Sequence, residues 1–552
     1  MSIKNLLYGL SLAIGVQGLS ACYNDDSTLA NNTINEIAIK YDGPETLYTG
    51  YLDVLELAPT INRGTEADTL GLTYLWEITE LPHNSQMQNA DWVEIGNNRA
   101  LHAVMSNPIS NIPYTLRLTV TDTENGNLKT FQTWFVYVNS AFLDGILVAE
   151  DVDGQNSDLS LILGSQTTLN YNKEDQVYHQ IIENATGSPI SGKISQLTYN
   201  TYGRYFASYT NQIWAAMEDG DMVLFDTKDY SKISQLSEGG IMTYKPAGIK
   251  CINSFIAGQY FFLNTNQNLY SVNPTTARNF GWHDAAGSEF TIDNGIIANT
   301  TFYNVAYQTL IFYDSVKGAF VYGNIMYNGP QYGTDWTANS YFNPSEMPGY
   351  TAIAGGLTTD ATTPAMVLKN KTTGEYAIYT FSRYEDGEGY YDDDWNWIET
   401  TPEKPQSARM RYDIPEAGRQ LLDKAVSVFF AINQSILYIA TPDGIYIVNF
   451  AGITPSVSAT AVFTPNSGER IVKAKMFTQG QYQVEADQIG EGIFAELPWH
   501  AKAVIIATED NDNNGKVSIV PMQQLGTGSL NKSQAKTYDG FGKILDICTV
   551  GY

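Results

Sequence analysis

The stretch Ile436-Leu437-Tyr438-Ile439-Ala440-Thr441-Pro442-Asp443-Gly444-Ile445-Tyr446-Ile447-Val448 decides the fold. Two short apolar runs flank a Pro-Asp-Gly turn, the composition that reverses a chain into a β-hairpin. A hairpin cannot bury its own faces, so it needs neighbours. Working outward, the same unit recurs at 146–148 into 159–162, 213–216 into 222–225, 260–263 into 269–272, 310–313 into 319–322, 366–368 into 376–379 and 504–507 into 517–520. The starts lie about 60 residues apart on average, enough for a four-stranded sheet with long loops. Helical periodicity between them is almost absent. The expected fold class is therefore all-β, with residues 140–552 forming a β-propeller of seven blades. A jelly roll or stacked sandwiches is the plainer alternative. Closure is expected to use strands from both ends, one near Ile146 and one from Ile544 to Val550, which leaves no open edge.

Upstream, Tyr114-Thr115-Leu116-Arg117-Leu118-Thr119-Val120-Thr121-Asp122 alternates apolar and polar residues, the period of a strand with one buried face. Glu124-Asn125-Gly126-Asn127 supplies a turn, and 131–138 returns as a second strand. Tyr74-Leu75-Trp76-Glu77-Ile78 is a third, its Trp a natural plug for a sandwich core. Tyr-x-Trp followed by Tyr-x-Leu-x-Leu-x-Val-x-Asp resembles PKD-type immunoglobulin-like domains. That resemblance implies a β-sandwich over residues 36–139.

The first residues address the chain. Lys4 precedes a short apolar run that ends Leu19-Ser20-Ala21-Cys22, a secretory signal over residues 1–21 and too short to span a bilayer comfortably. Leu-Ser-Ala-Cys resembles a bacterial lipobox, which implies cleavage before Cys22 and lipidation of its thiol. Tyr23-Asn24-Asp25-Asp26 then resembles the surface-export signal of Bacteroidetes lipoproteins, with 22–35 as lipidated N-terminus and tether. Lipobox, PKD-like domain and the opening hairpin at 145–162 together resemble the PKD-like surface lipoproteins of Bacteroidetes. The resemblance implies an outer-membrane, outward-facing protein that accompanies SusC/SusD-type transporters of glycans or peptides.

Composition narrows the partners. The chain has 552 residues and a formal charge of −28, with 12 % aromatic residues. So acidic a chain is a poor match for nucleic acid or for an anionic membrane surface, both of which are bound through Lys and Arg. With Cys22 lipidated, Cys251 and Cys548 remain, nearly 300 residues apart, as buried small hydrophobes or one bridge.

No catalytic residue emerges. The five His residues are scattered, and metalloprotease, nucleophile-elbow and phosphate-loop motifs are absent. Asp510-Asn511-Asp512-Asn513-Asn514-Gly515 resembles a calcium loop, with Asp510, Asp512 and Asn514 as ligands. Pro521 stands where the twelfth-position acid belongs, so a solvated Asx-rich turn is the favoured reading and a structural calcium the alternative. No other cofactor is expected.

Two long inter-strand segments gather aromatics among Gly, Asn and Asp. Trp336 and Tyr341 mark one; Tyr390, Tyr391, Trp395 and Trp397 mark the other, fringed by acids that disfavour anionic ligands. These are the candidate ligand or partner contacts. The expectation is a non-catalytic binding or assembly module of a SusCD-like uptake complex. A surface polysaccharide hydrolase or lyase, and an adhesin for host glycoprotein, are the alternatives.

Overall fold

The structure, a computed structural model, describes residues 37–50, 53–63, 71–80, 91–107, 110, 112–139, 144–168, 171, 174–200, 212–227, 230–242, 245–257, 260–272, 283–284, 297–298, 308–326, 329–358, 363–382, 387–432, 434–479 and 497–551. Among the described residues strand accounts for 55 % and helix for 4 %, an all-β fold. No helix among the described residues is long and apolar enough to cross a membrane. The described residues up to Ser106, with Pro113–Tyr137, form one compact unit; those from Val138 onward, with the described part of 107–112, form another.

In the first unit a five-stranded antiparallel sheet runs in the order Thr46–Gly50, Leu128–Asn139, Tyr114–Asp122, Leu72–Thr79, Trp92–Gly96. Tyr114–Asp122 buries every second residue, as its alternation predicts. The inward row meets Trp76, which is fully buried and stacks on Trp134 at 5.5 Å. Its indole N–H donates to the Asn98 carbonyl at 2.9 Å, so the polar tip of a buried ring is satisfied. The turn at 124–127 closes with Gly126 and Asn127 at φ 67° and 60°, a pair suited to left-handed backbone.

The second unit is a succession of antiparallel sheets whose middle strands are the recurring hairpins. In order they are centred on Gln212–Met217 and Met222–Asp226, Tyr260–Thr265 and Leu269–Val272, Gln308–Asp314 and Ala319–Met326, Thr363–Asn370 and Tyr376–Ser382, Ile436–Thr441 and Gly444–Asn449, and Ala503–Glu509 and Gly515–Pro521. Each has four strands. A further sheet joins Gln176–Tyr178, Asn156–Leu163, Gly145–Asp151 and Lys543–Val550, so Gly145 pairs with Val550 and Val148 with Ile547.

Why the hairpins are apolar on both faces is visible in the packing. Ile146 and Val148 lie in one cluster with Ile505 and Ile519, whereas their strand neighbours Leu147 and Ala149 lie in another with Ile213 and Phe225. Likewise Val367 and Ile378 pack with Leu437 and Ile439, and Met366 and Tyr379 with Ile311 and Phe320. Side chains alternate across a strand, so each middle strand feeds one face to the sheet before it and one to the sheet after.

Polar groups stitch three of these sheets together. Asp546, fully buried on Lys543–Val550, meets Lys475 Nζ at 2.8 Å and Lys473 Nζ at 3.1 Å from Arg470–Met476. It also accepts the Leu197 N–H at 2.8 Å, from Ile194–Asn200.

Candidate functional site

Between Tyr376–Ser382 and Ser407–Asp413 the chain leaves its sheet and builds a separate two-stranded hairpin, Glu388–Tyr391 with Trp397–Thr401. Tyr391 opposes Trp397 and Tyr390 opposes Ile398. Residues 392–396 form its tip. The Asp392 carboxylate accepts N–H groups from Asp394 at 3.0 Å and Asn396 at 2.8 Å, and the Asn396 amide at 3.2 Å. These bonds to Asn396 and Asp394 hold the Asp392 carboxyl below the usual carboxylate range. The Trp395 N–H closes the turn on the Asp392 carbonyl at 3.0 Å.

The aromatics of this hairpin face solvent. Tyr390 is 58 % exposed, Tyr391 61 %, Trp395 82 % and Trp397 49 %. Tyr391 links the two indoles, 5.2 Å from Trp397 and 6.1 Å from Trp395. Gly389 permits the arrangement: a Cβ there would stand 2.5 Å from the Trp397 ring and from the Ile398 carbonyl. Among described residues 387–404, Glu388, Asp392, Asp393, Asp394, Glu399 and Glu403 face a single cation, Lys404. Exposed aromatic surface and negative charge thus share one hairpin.

Trp395 has φ 63°, left-handed backbone that costs an ordinary L-residue about 1–2 kcal/mol and is an outlier for a bulky side chain. A second turn in the same chain shows the cheaper solution. Asp510 accepts from the Asp512 and Asn514 N–H groups, both at 2.9 Å, and from the Asn514 amide at 2.8 Å, while the left-handed fourth residue is Asn513 at φ 61°. The two tips share one hydrogen-bond pattern; one places Asn and the other Trp at the strained position.

That second turn also bears on the calcium alternative. The Asp510 oxygens accept the Asp512 and Asn514 N–H groups and the Asn514 amide, the bonding of an Asx turn, which is the favoured reading of this loop. Arg470 already supplies the local cation, reaching the Asp510 carbonyl at 3.3 Å, Asn513 Oδ1 at 3.2 Å and Glu509 at 2.9 Å. Among the described residues no group of three His, Cys, Asp or Glu could hold a metal ion.

The other aromatic segment divides. Trp336 is only 7 % exposed, its indole N–H donates to the Phe320 carbonyl at 2.9 Å, and it packs against Tyr322 and Phe381. It plugs a core and offers no ligand face, a correction to its expected role. Tyr341 is exposed on the segment before Tyr350–Thr358. Cys251 and Cys548 are buried free thiols, each pushed up to about 12 by burial. Cys22 lies outside the described residues.

One constellation has no signature in sequence spacing. Ser160 Oγ contacts Glu150 Oε1 and lies 3.1 Å from His179 Nδ1. A carboxylate only accepts, so the serine proton points at Glu150 and the His179 contact takes an Nδ1–H donor. Ser160 is fully buried, and Glu150 also accepts the Gly542 N–H at 2.6 Å. The geometry ties strands together; a nucleophile would present its hydroxyl to the imidazole as donor and to substrate as attacker.

Residues 22–193 match the PKD-like family model. The match takes in Cys22, the PKD-like domain's five-stranded sheet and the Gly145–Leu163 hairpin beyond it. No curated protein matches. Among solved structures, apo AztD from Citrobacter koseri is similar at 8 % identity and TM-score 0.36, over 87 % of this chain and 98 % of that one. The N-terminal domain of Nup159 is similar at 11 % identity and TM-score 0.30, over 62 % and 78 %. The WD40 domain of SCAP from fission yeast is similar at 11 % identity and TM-score 0.31, over 61 % and 70 %.

Proposed function

We propose that the chain is a lipid-anchored protein of the outer membrane, facing the exterior, in which a PKD-like sandwich over 36–139 carries a seven-bladed β-propeller over 140–552. It serves as a non-catalytic binding or assembly module of a SusCD-like complex that imports glycans or peptides. The blade reading draws on the succession of sheets that share cores pairwise, with the last strand, Lys543–Val550, lodged beside Gly145–Asp151. The transporter connection draws on the resemblance of lipobox, PKD-like domain and opening hairpin.

The observation that carries the binding role is the two-stranded hairpin with Tyr390, Tyr391, Trp395 and Trp397 exposed. Rings of this kind are costly to leave in water and dominate recognition surfaces where they occur together. Lipidation gives the first test. The wild-type protein is expected to fractionate with outer membranes, and Cys22→Ala to appear in the soluble fraction; a variant that stays on membranes removes the anchor reading. Affinity purification from detergent-solubilised membranes is expected to bring down a large transporter and its lid, and recovery of the protein alone argues against assembly.

A further inference from the structure

Trp395 occupies a backbone position that this same protein fills with Asn513 in a turn of identical bonding, and nothing in the fold uses its indole as a core group: it is 82 % exposed at the outermost point of its hairpin. Strain held at an exposed aromatic points to use outside the fold. Asp393 and Asp394 directly precede Trp395 in the chain, and Glu388 and Glu399 lie on the two strands of the hairpin. Among the described residues the hairpin is a sheet of two strands, so each strand has an outer edge that no described strand covers.

We propose that this hairpin docks a lysine- or arginine-rich, extended segment of a partner protein. Three features select that occupant. The two indoles and the Tyr391 ring between them attract ammonium and guanidinium groups through the ring quadrupole. The carboxylates complement the same cations and steer their approach from a distance, an attraction that a neutral sugar does not feel and that repels an anion. The open strand edges offer backbone N–H and C=O groups to a polypeptide laid alongside, a pairing that small cations cannot use. The inference rests on the reading of the hairpin as the protein's gripping element, and names what it grips.

The probe is a fluorescently labelled decalysine peptide, titrated into the full chain and into Trp395→Asn. That change leaves net charge untouched and installs the residue that Asn513 shows to be at ease in this turn, so the melting temperature is expected to hold or rise. Affinity for decalysine is expected to fall about fivefold, the effect of one exposed cation–π contact. Attraction to the acidic surface in general would not respond to this substitution. A second variant, Asp393→Asn with Asp394→Asn, is expected to weaken binding and to flatten its dependence on salt. Equal binding by wild type and both variants overturns the proposal, as does a preference of the wild-type chain for decaglutamate or for a neutral hexasaccharide. The two readings fail separately: loss of transporter copurification leaves the peptide titration standing, and a flat titration leaves the membrane assembly standing.

Discussion

Asp546→Asn is expected to destabilise the second unit by about 3 kcal/mol and to lower its melting temperature by several degrees. Burial alone would raise the pKa of this carboxyl, but Lys475, Lys473 and the Leu197 N–H outweigh it and hold the group below the usual carboxylate range. Removing the charge leaves two ammonium groups facing a neutral amide. Breaking a buried pair costs about 3–5 kcal/mol, and the low end applies because both lysines stay partly in contact with water. The sign of the pH effect follows from the depressed value. Asp546 stabilises the folded state above its unfolded pKa of about 3.9, and that contribution is lost as pH falls through the folded value. Wild type is therefore expected to lose stability on acidification below about pH 4, with a shallower loss in Asp546→Asn. Identical acid limbs in the two proteins would contradict the assignment of this ion cluster.

Trp76→Ala is expected to cost the first unit about 3–5 kcal/mol, the usual range for emptying a fully packed aromatic site. The substitution deletes the stack on Trp134 and leaves the Asn98 carbonyl without its indole donor. A small sandwich has only about 5–15 kcal/mol in total, so little would remain. Scanning calorimetry is expected to show the transition of the first unit lost or moved far down while the transition of the second keeps its temperature. A single transition that shifts as a whole would refute the division at residues 106–138.

The readable parts of this chain are those where one physical term dominates. In Tyr114–Asp122 burial of one face sets the residue pattern, so alternation in the text becomes alternation in the fold. In Ile436–Thr441 and Gly444–Asn449 two buried faces and a Pro-Asp-Gly turn leave few other solutions. Outer strands such as Lys232–Gln235 and Ser456–Val457 are short and partly exposed, and with little apolar demand they carry no period.

At the candidate site the difficulty is of another kind. Trp336 and Trp395 sit in similarly polar, turn-rich text, yet one is a core plug and the other stands in solvent. What separates them is the Phe320 carbonyl and the Phe381 ring, partners brought near Trp336 only by sheet packing. The Asx turn at Asp510 and the calcium loop it resembles use the same residues; the Asn514 amide bond and the arrival of Arg470, which favour the first, come from folding and not from spacing. Glu150, Ser160 and His179 have no shared spacing rule, because antiparallel pairing sets their proximity.

The pairing of Gly145–Asp151 with Lys543–Val550 has a temporal side. A ribosome delivers the amino end first, so Gly145–Asp151 must wait, one flank bare, while every intervening sheet is synthesised. Its partner emerges only after all of them, and the loop-closure entropy between the two is larger than for any neighbouring hairpin. Until then that edge stays unpaired, and the buried Asp546 arrives with the missing strand, bringing its contacts with Lys473, Lys475 and the Leu197 N–H at the same moment.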